Sequence, residues 1–489
     1  MDLQSMKPLG ERTTVLDLAD REELDDWFFP TDADFTFFTR NEKRRTLPFT
    51  STVQEFPYQG TSGFGGRVVF TLNGNQACDI LLGTMVQIKL GHWLPPDIQR
   101  LLLAGKYAYK TPDQSWHYAN SLGTTLIEKA EFMLEDQILE TIDSVYTHIF
   151  SCSNPDINTQ IGLATDAYGR KTIPDLLAVQ DSQIYPNSSG ILTCVLPFSY
   201  MRTLLKNGFP LMSVKENTIR IAITFRPFSQ VVRVRDGRRA TCDETPLGKT
   251  IEYYDRTVPW WPGIPTSREN STVVPAFEDI RLLTYGVLVD GQFRKALLYS
   301  PFERPYREVQ RFVFSEPLKY TVNKKGDDTI SVQLPLELNN PVEEIFWIVR
   351  RKAVDLNNEW TNFSGILESE YDATYNPLDG LLVGAEIQMN GTTVVSEHAD
   401  YFRQHYAEKI NGGIVSYKNY IYGYTFYMGK KAYHPTGWIN ASRSTDIRLR
   451  LNVKPPTGLE NAEWEVYVYA HAINWVRFEN GIANKVFSS

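Results

Sequence analysis

Apolar and polar positions alternate with a period of two through most of this chain. In TIRIAITF (218–225), Ile219, Ile221, Ile223 and Phe225 fall on one side, and Arg220, Ala222 and Thr224 on the other. In TISVQLPLEL (329–338), Ile330, Val332, Leu334, Leu336 and Leu338 oppose Ser331, Gln333, Pro335 and Glu337. Successive side chains of a strand point to opposite faces, so this pattern predicts half-buried strands. Pro335 cannot donate to a ladder, which makes its strand an edge or a bulged one. WEVYVYAHA (464–472) sets Val466, Val468 and Ala470 against Tyr467, Tyr469 and His471. One aliphatic face and one polar-aromatic face suit a sandwich. In VVRVRDGRRATC (231–242), Asp236-Gly237 between two short runs predicts a tight hairpin.

One segment follows a different period. LIEKAEFMLEDQILETID (126–143) consists of good helix formers, with Leu126, Ala130, Met133, Leu134 and Ile138 on one helical face, and predicts a helix. Shorter helices are expected over 198–208 and 97–106, each ending near a glycine. On a larger scale, each half has a strand pair, a long loop region and a late pair of strongly alternating strands. Between the halves, 227–275 is irregular and holds Pro227, Pro246, Pro259, Pro262, Pro265 and Pro275. The result is two β-sandwiches of roughly 200 residues each.

Composition narrows the choice. The 489 residues include 13% aromatics, 27 Pro and 31 Gly, as in turn-rich all-β proteins, and suffice to bury large cores without metals or disulfides. A net charge of −8 argues against direct nucleic-acid packaging. No apolar run approaches the ~20 residues of a membrane helix, and the first residues lack the apolar core of a signal peptide. Cys78, Cys152, Cys194 and Cys242 are scattered without CxxC spacing and read as reduced thiols. The seven histidines form no HxH or HExxH, and neither GxSxG nor a phosphate-binding loop occurs. Adjacent acids such as Glu343-Glu344 and Glu22-Glu23 read as solvated rather than as a glycosidase pair. No catalytic, metal or cofactor site is therefore expected.

Two aromatic stretches are candidates for contacts. PWWP (259–262) spells the name of a chromatin-reading module but lacks its basic surroundings. Trp260 and Trp261 either pack on their own domain or anchor a contact between subunits. Trp27, Phe28 and Phe29 form an apolar knot in an acidic segment too short for its own core. They either fold under the first sandwich or reach a basic partner. Sequons stand at Asn187, Asn270, Asn362, Asn390 and Asn440.

Several stretches in order resemble one family. They are DFTFFTRNEKRRTLPFT (34–50), LPFSYMRTLLKNGFPLMSVKENTIRIAITF (196–225), LVDGQFRKALLYSPFERPYREVQ (288–310), NNPVEEIFWIVRR (339–351, with Trp347 as a buried Trp), HPTGWINASRSTDIRLRL (434–451) and VYVYAHAINWVRFENGIANKVFSS (466–489). Together they are similar to the double jelly-roll major capsid proteins of nucleocytoplasmic large DNA viruses, the group of the iridoviruses and the algal and amoebal giant viruses. The resemblance implies an all-β fold of two consecutive eight-stranded jelly rolls with long loop insertions and a few short helices. It divides the chain into an N-terminal arm (1–30), a first roll (31–290, with an insertion at about 227–275) and a second roll (291–489). It also implies strands, not a helix, over 126–143, with Glu135-Asp136 where the family usually has a Gly-rich turn.

In the corner before IRLRL, Pro435, Thr436, Gly437, Asn440, Ser442 and Arg443 match the family pattern, whereas Trp438 and Ala441 depart from it. Pro435 fixes φ, Gly437 permits positive φ, and Asn440 and Ser442 can bond local backbone, which would pin the register of the strand that follows. The implied function is that of a major capsid protein forming trimeric, pseudo-hexagonal capsomers of an icosahedral shell. The implied partners are itself as a homotrimer, neighbouring capsomers and minor capsid proteins, with an internal membrane reached only indirectly. The implied location is the virion, after assembly in the host cytoplasm. A minor capsid, penton or scaffold protein of the same fold is the alternative; a glycan-binding sandwich or carbohydrate-active enzyme is a more distant one.

Overall fold

The strands make two sandwiches with one strand order. In the first, β1 (Phe49–Phe56), β2 (Arg67–Leu72), β3 (Ile80–Leu90), β4 (Ile127–Leu134), β5 (Gln137–Asp143), β6 (Ile191–Val195), β7 (Ile219–Phe225) and β8 (Phe277–Val289) form sheets ordered β1-β8-β3-β6 and β2-β7-β4-β5, with Tyr58–Gly60 flanking β2. In the second, β9 (Phe302–Phe314), β10 (Ile330–Pro335), β11 (Pro341–Arg351), β12 (Leu382–Met389), β13 (Thr392–His398), β14 (Ile421–Thr425), β15 (Ile447–Val453) and β16 (Trp464–Glu479) form sheets ordered β9-β16-β11-β14 and β10-β15-β12-β13. Adding eight to each strand number of the first sandwich gives the second. This is the two-sheet jelly-roll arrangement, present twice. In this computed structural model the described residues are 48–487 without 73–76, 92–109, 112–113, 153–189, 203–207, 237–250, 253–275, 316–328, 357, 366–379, 412–419, 429–435 and 455–462.

The segment with helical periodicity is a hairpin. After a short helix, Leu122–Leu126, the chain runs into β4, turns at Glu135 (φ 51) and returns as β5. The cause is tertiary. Strand β7 lies beside β4 with Ile219, Ile221 and Ile223 opposite Leu134, Phe132 and Ala130, and all six are buried. A helix would have moved Phe132 off the apolar face; instead Ile138 stays exposed. Pairing along a buried ladder outweighs a propensity difference of a few tenths of a kcal/mol per residue.

The turn expected at Asp236-Gly237 falls outside the described residues from Gly237 onward. Val232–Asp236 is flanked by Gln114–Tyr118 on one side and Ile251–Glu252 on the other, in a small separate sheet with Lys110–Thr111. Both of its edges are thus taken, and the adjacent run 238–242 lies outside the described residues. Pro335 closes β10, which is an edge strand. Of the two short helices expected, one is described over Ser199–Arg202; 97–106 lies outside the described residues.

Three helices position the later contacts. α1 (Ser144–Cys152) follows β5 without a gap, and α3 (Ala399–Asn411) follows β13 in the same way. α2 (Gly291–Tyr299) joins the rolls and is capped by Asp290, whose side chain accepts from Gln292 N at 3.1 Å. Asp79 holds this link, accepting from Val289 N at 2.8 Å and pairing with Arg294 at 3.3 Å. Apolar residues of both rolls belong to one buried cluster, in which Trp347 and Trp464 are fully enclosed. Among the described residues no helix is long and apolar enough to cross a membrane.

Candidate functional site

Strand β16 is buried on both faces along its first half. Val466, Val468 and Ala470 fill the second roll's core; Tyr469 and His471 point the other way, onto the first roll. Register sets the rest of that face: Arg311 and Phe346 flank Tyr469, and Val309 and Glu344 flank His471. The end of β5 and the start of α1 rest against it.

Asp143, the last residue of β5, is the centre of this seam. Its carboxylate accepts from Tyr146 N at 2.7 Å and from Tyr469 OH at 2.9 and 3.0 Å, and pairs with Arg311 Nε at 2.7 Å. Beside it Tyr146 OH lies 2.8 Å from His471 Nε2, His471 Nδ1 meets Glu344 Oε1, and Tyr427 OH donates to Glu344 Oε2 at 2.8 Å. With its proton on Nδ1, facing Glu344, His471 accepts from Tyr146. The Tyr146 ring packs 5.6 Å from Tyr469 and 6.1 Å from Phe346. Arg202 pairs with Glu140 at 2.6 Å, lies 5.5 Å from the Tyr146 ring and donates to the carbonyl of Arg307. Burial, and then the negative charge of Asp143, push the Tyr469 phenol well above its ordinary range. Burial also raises Tyr146, against the pull of Arg202. Buried charges that are paired and hydrogen-bonded are tolerated; unpaired they are not, so the rolls are held in one register.

Two further contacts fix the seam along its length. Arg226 lies 3.7 Å over the Trp360 ring, Trp360 Nε1 donates to Gln230 O at 2.8 Å, and Asn358 Nδ2 donates to Ser229 O at 2.7 Å. Elsewhere the Gly481 carbonyl accepts from Lys215 N and Glu216 N at 2.9 and 3.0 Å, and Phe209 packs 5.6 Å from Phe478. Among the described residues the contacts between the rolls are thus spread over several elements. Among the described residues no group of three His, Cys, Asp or Glu side chains is placed to hold a metal ion. Cys78, Cys152 and Cys194 are buried and form no disulfide.

The corner before β15 is built around backbone contacts. A Cβ on Gly437 would lie 2.6 Å from Phe426 O and 2.9 Å from Tyr427 Cα. Asn440 pairs with Pro341 at the start of β11, and Ser442 Oγ accepts from Asn340 N at 2.8 Å. Asn390, at φ 49 in the β12–β13 turn, offers Oδ1 to Ser444 Oγ at 3.0 Å and Thr445 N at 3.1 Å. The corner is thus tied to residues distant in sequence, not only to its own backbone. Trp438 is exposed. Pro435, Trp27, Phe28, Phe29, Trp260 and Trp261 lie outside the described residues. The sequon residue Asn362 is buried, with Nδ2 donating to Glu359 at 2.7 Å.

Sequence reasoning missed Asp143, Tyr146 and Arg202 as seam residues, and Asn340 and Asn390 as anchors of the corner. The Tyr467-Tyr469-His471 face was visible as polar-aromatic, but its partner was not. Asn390-Gly391 carried a turn signal that was not used.

Two family models match the chain. One is described as major capsid protein N-terminus and spans residues 36–259; the other, as large eukaryotic DNA virus major capsid protein, spans residues 307–484. The chain belongs to the major capsid proteins of large eukaryotic DNA viruses. This capsid protein is similar in fold to PBCV-1 VP54, a structure fitted into a reconstruction of the virophage Sputnik, with 14% identity and a TM-score of 0.63 over 92% of this chain and 100% of that one. The PBCV-1 virus capsid gives 13% and 0.64 over 92% and 100%. The Faustovirus major capsid protein gives 11% and 0.56 over 96% and 97%. No curated protein sequence matches the capsid protein. Its fold is the double jelly roll, and its role is structural, in the shell of the virion.

Proposed function

We propose that three copies of this capsid protein close into one capsomer, whose six rolls fill a six-neighbour position of an icosahedral shell. The observation that carries this reading is the strand order repeated within one chain and locked by a polar seam. A chain with two like lobes in fixed relation serves a hexagonal lattice with three subunits in place of six. The working division is the arm (1–30), the first roll (31–290) and the second roll (291–489). The protein acts without catalysis or cofactor, and shells assemble in the host cytoplasm. Its partners are its own copies, neighbouring capsomers and minor capsid proteins, with any internal membrane reached through those proteins. In this reading Trp260 and Trp261 anchor contacts between subunits, and the acidic arm with Trp27, Phe28 and Phe29 grips a basic minor protein.

Light scattering on the purified full chain tests the trimer. The expected mass is about three times the 56.0 kDa of one chain at micromolar concentration; a folded monomer refutes it. In the same assay a chain lacking residues 1–30 is expected to form trimers yet not to grow into shells with minor proteins present. Normal shells from that chain would refute the role given to the arm.

A further inference from the structure

The repeated strand order makes a comparison possible inside one chain. Within it, the outward face of β9, β16 and β11 in the second roll is covered by β5 and α1 of the first. In the first roll, Met201 Sδ lies 3.8 Å from where a Gly83 Cβ would stand on β3, but among the described residues the same face is open on β1 and β8. There Phe49 and Val53 are 62% and 60% exposed, and Val53 sits opposite Tyr285, with Ser51 opposite Val287. These positions, apolar except for Ser51, lie on the outward side of the sheet, since the alternate residues Phe56, Leu282 and Thr284 point into the core.

The covering element is duplicated as well. β5 runs straight into α1 at Asp143-Ser144, and β13 runs straight into α3 at His398-Ala399. The third residue of each helix is a tyrosine. Tyr146 is 2% exposed in the seam, whereas its counterpart Tyr401 is 39% exposed, and Val394 of β13 is 43% exposed. Among the described residues one such contact is therefore made, and the β1–β8 face and the β13–α3 element are left exposed.

We propose that the outward face of β1 and β8 in one copy receives β13 and the start of α3 from a second copy, as β9 and β16 receive β5 and α1 within the chain. The occupant is another copy because the complementary element stands uncovered on this same chain. The two patches differ, so the contact is head-to-tail; it closes into three copies when each roll-to-roll step turns by about 60°. This inference rests on the trimer reading and adds the surface that makes it.

Two sets of full-length variants test the surface. Val53→Glu and Tyr401→Glu, each separately, are expected to reduce the scattering mass from three chains to one, with the far-UV spectrum retained. Met428→Glu, at an 88% exposed position that belongs to none of the four elements named, is expected to leave it at three. Because a glutamate variant could fail to fold, the second set uses cysteines. Val53→Cys combined with Tyr401→Cys is expected to give oxidised ladders of two and three chains, and neither single substitution is. A covalent dimer from Val53→Cys alone would mean that the face pairs with itself and would overturn the proposal. Intact trimers from both glutamate variants, with no ladder from the double cysteine chain, would remove this surface and leave the trimer standing. A monomeric wild type would remove both.

Discussion

Replacing Asp143 with alanine takes one acceptor from three donors. Tyr146 N and Tyr469 OH are buried and lose their partner at 2.7 Å and 2.9 Å respectively. Each orphaned donor costs about 1–3 kcal/mol. Arg311 is different: its side chain is 47% exposed, so it turns to water and its pair with Asp143 is worth at most about 1 kcal/mol. Removing the carboxylate also removes its own desolvation cost, which offsets part of the loss. The net expectation is about 3 kcal/mol for Asp143→Ala and about 1–2 kcal/mol for Asp143→Asn, which keeps an acceptor oxygen. Tyr469→Phe alone is expected to cost about 1 kcal/mol, and almost nothing in the Asp143→Ala background, because the two share one interaction. Urea unfolding followed by tryptophan fluorescence gives these differences from midpoint and slope. Buried Trp347 and Trp464 report on the second roll, across the seam from the substitution. An alanine variant within about 1 kcal/mol of wild type, or an asparagine variant less stable than the alanine one, would refute the assignment of Asp143 as the centre of the seam.

Gly437→Ala is expected to cost about 2–3 kcal/mol by overpacking, because the added carbon meets fixed backbone at 2.6 Å, whereas Gly391→Ala, which meets nothing, should cost about 1 kcal/mol; equal melting temperatures for the two variants would contradict the corner geometry. Stability should also fall above about pH 9. Burial raises the Cys194 thiol from 9.0 to about 12, and burial followed by Asp79 does the same for Cys78. Between those values the unfolded chain releases protons that the folded chain retains, so each thiol removes about 1.4 kcal/mol per pH unit as pH rises. Urea midpoints that stay flat from pH 8 to 11 would show these thiols to be solvated. Double substitution of Trp260 and Trp261 by alanine should loosen the trimer by about 2–4 kcal/mol, read as a rise in the concentration at which scattering mass falls; an unchanged dissociation curve would place both rings inside one subunit.

The strands were largely legible because each carries its own evidence: Ile219, Ile221 and Ile223 alternate with polar neighbours, and the face they define is the face they bury. Residues 126–143 misled for the opposite reason. Helix propensity is read from neighbours in sequence, whereas the ladder that decides their conformation is supplied by β7, some ninety residues later. The seam was illegible for a related reason. Nothing in the tyrosines and histidine of β16 names Asp143 or Tyr146, which lie 326 and 325 residues away from Tyr469 and His471. Asn340 and Asn390 act on the corner from 102 and 55 residues away, so the motif was recognisable while its anchors were not.

That separation also has a consequence in time. A ribosome adds roughly 5–20 residues per second, so the strand that pairs with Asp143 and Tyr146 is made about 16–65 seconds after them. Once Val289 is made, for the later part of that interval, the nascent first roll has every strand of its two sheets, while Asp143 and Tyr146 still await Tyr469 and His471 across the seam. Its sheets can form early; its charged flank cannot be dehydrated until translation is nearly finished. The first half of this chain is therefore expected to leave the ribosome as a client for chaperones, and to lose that status only when β16 arrives.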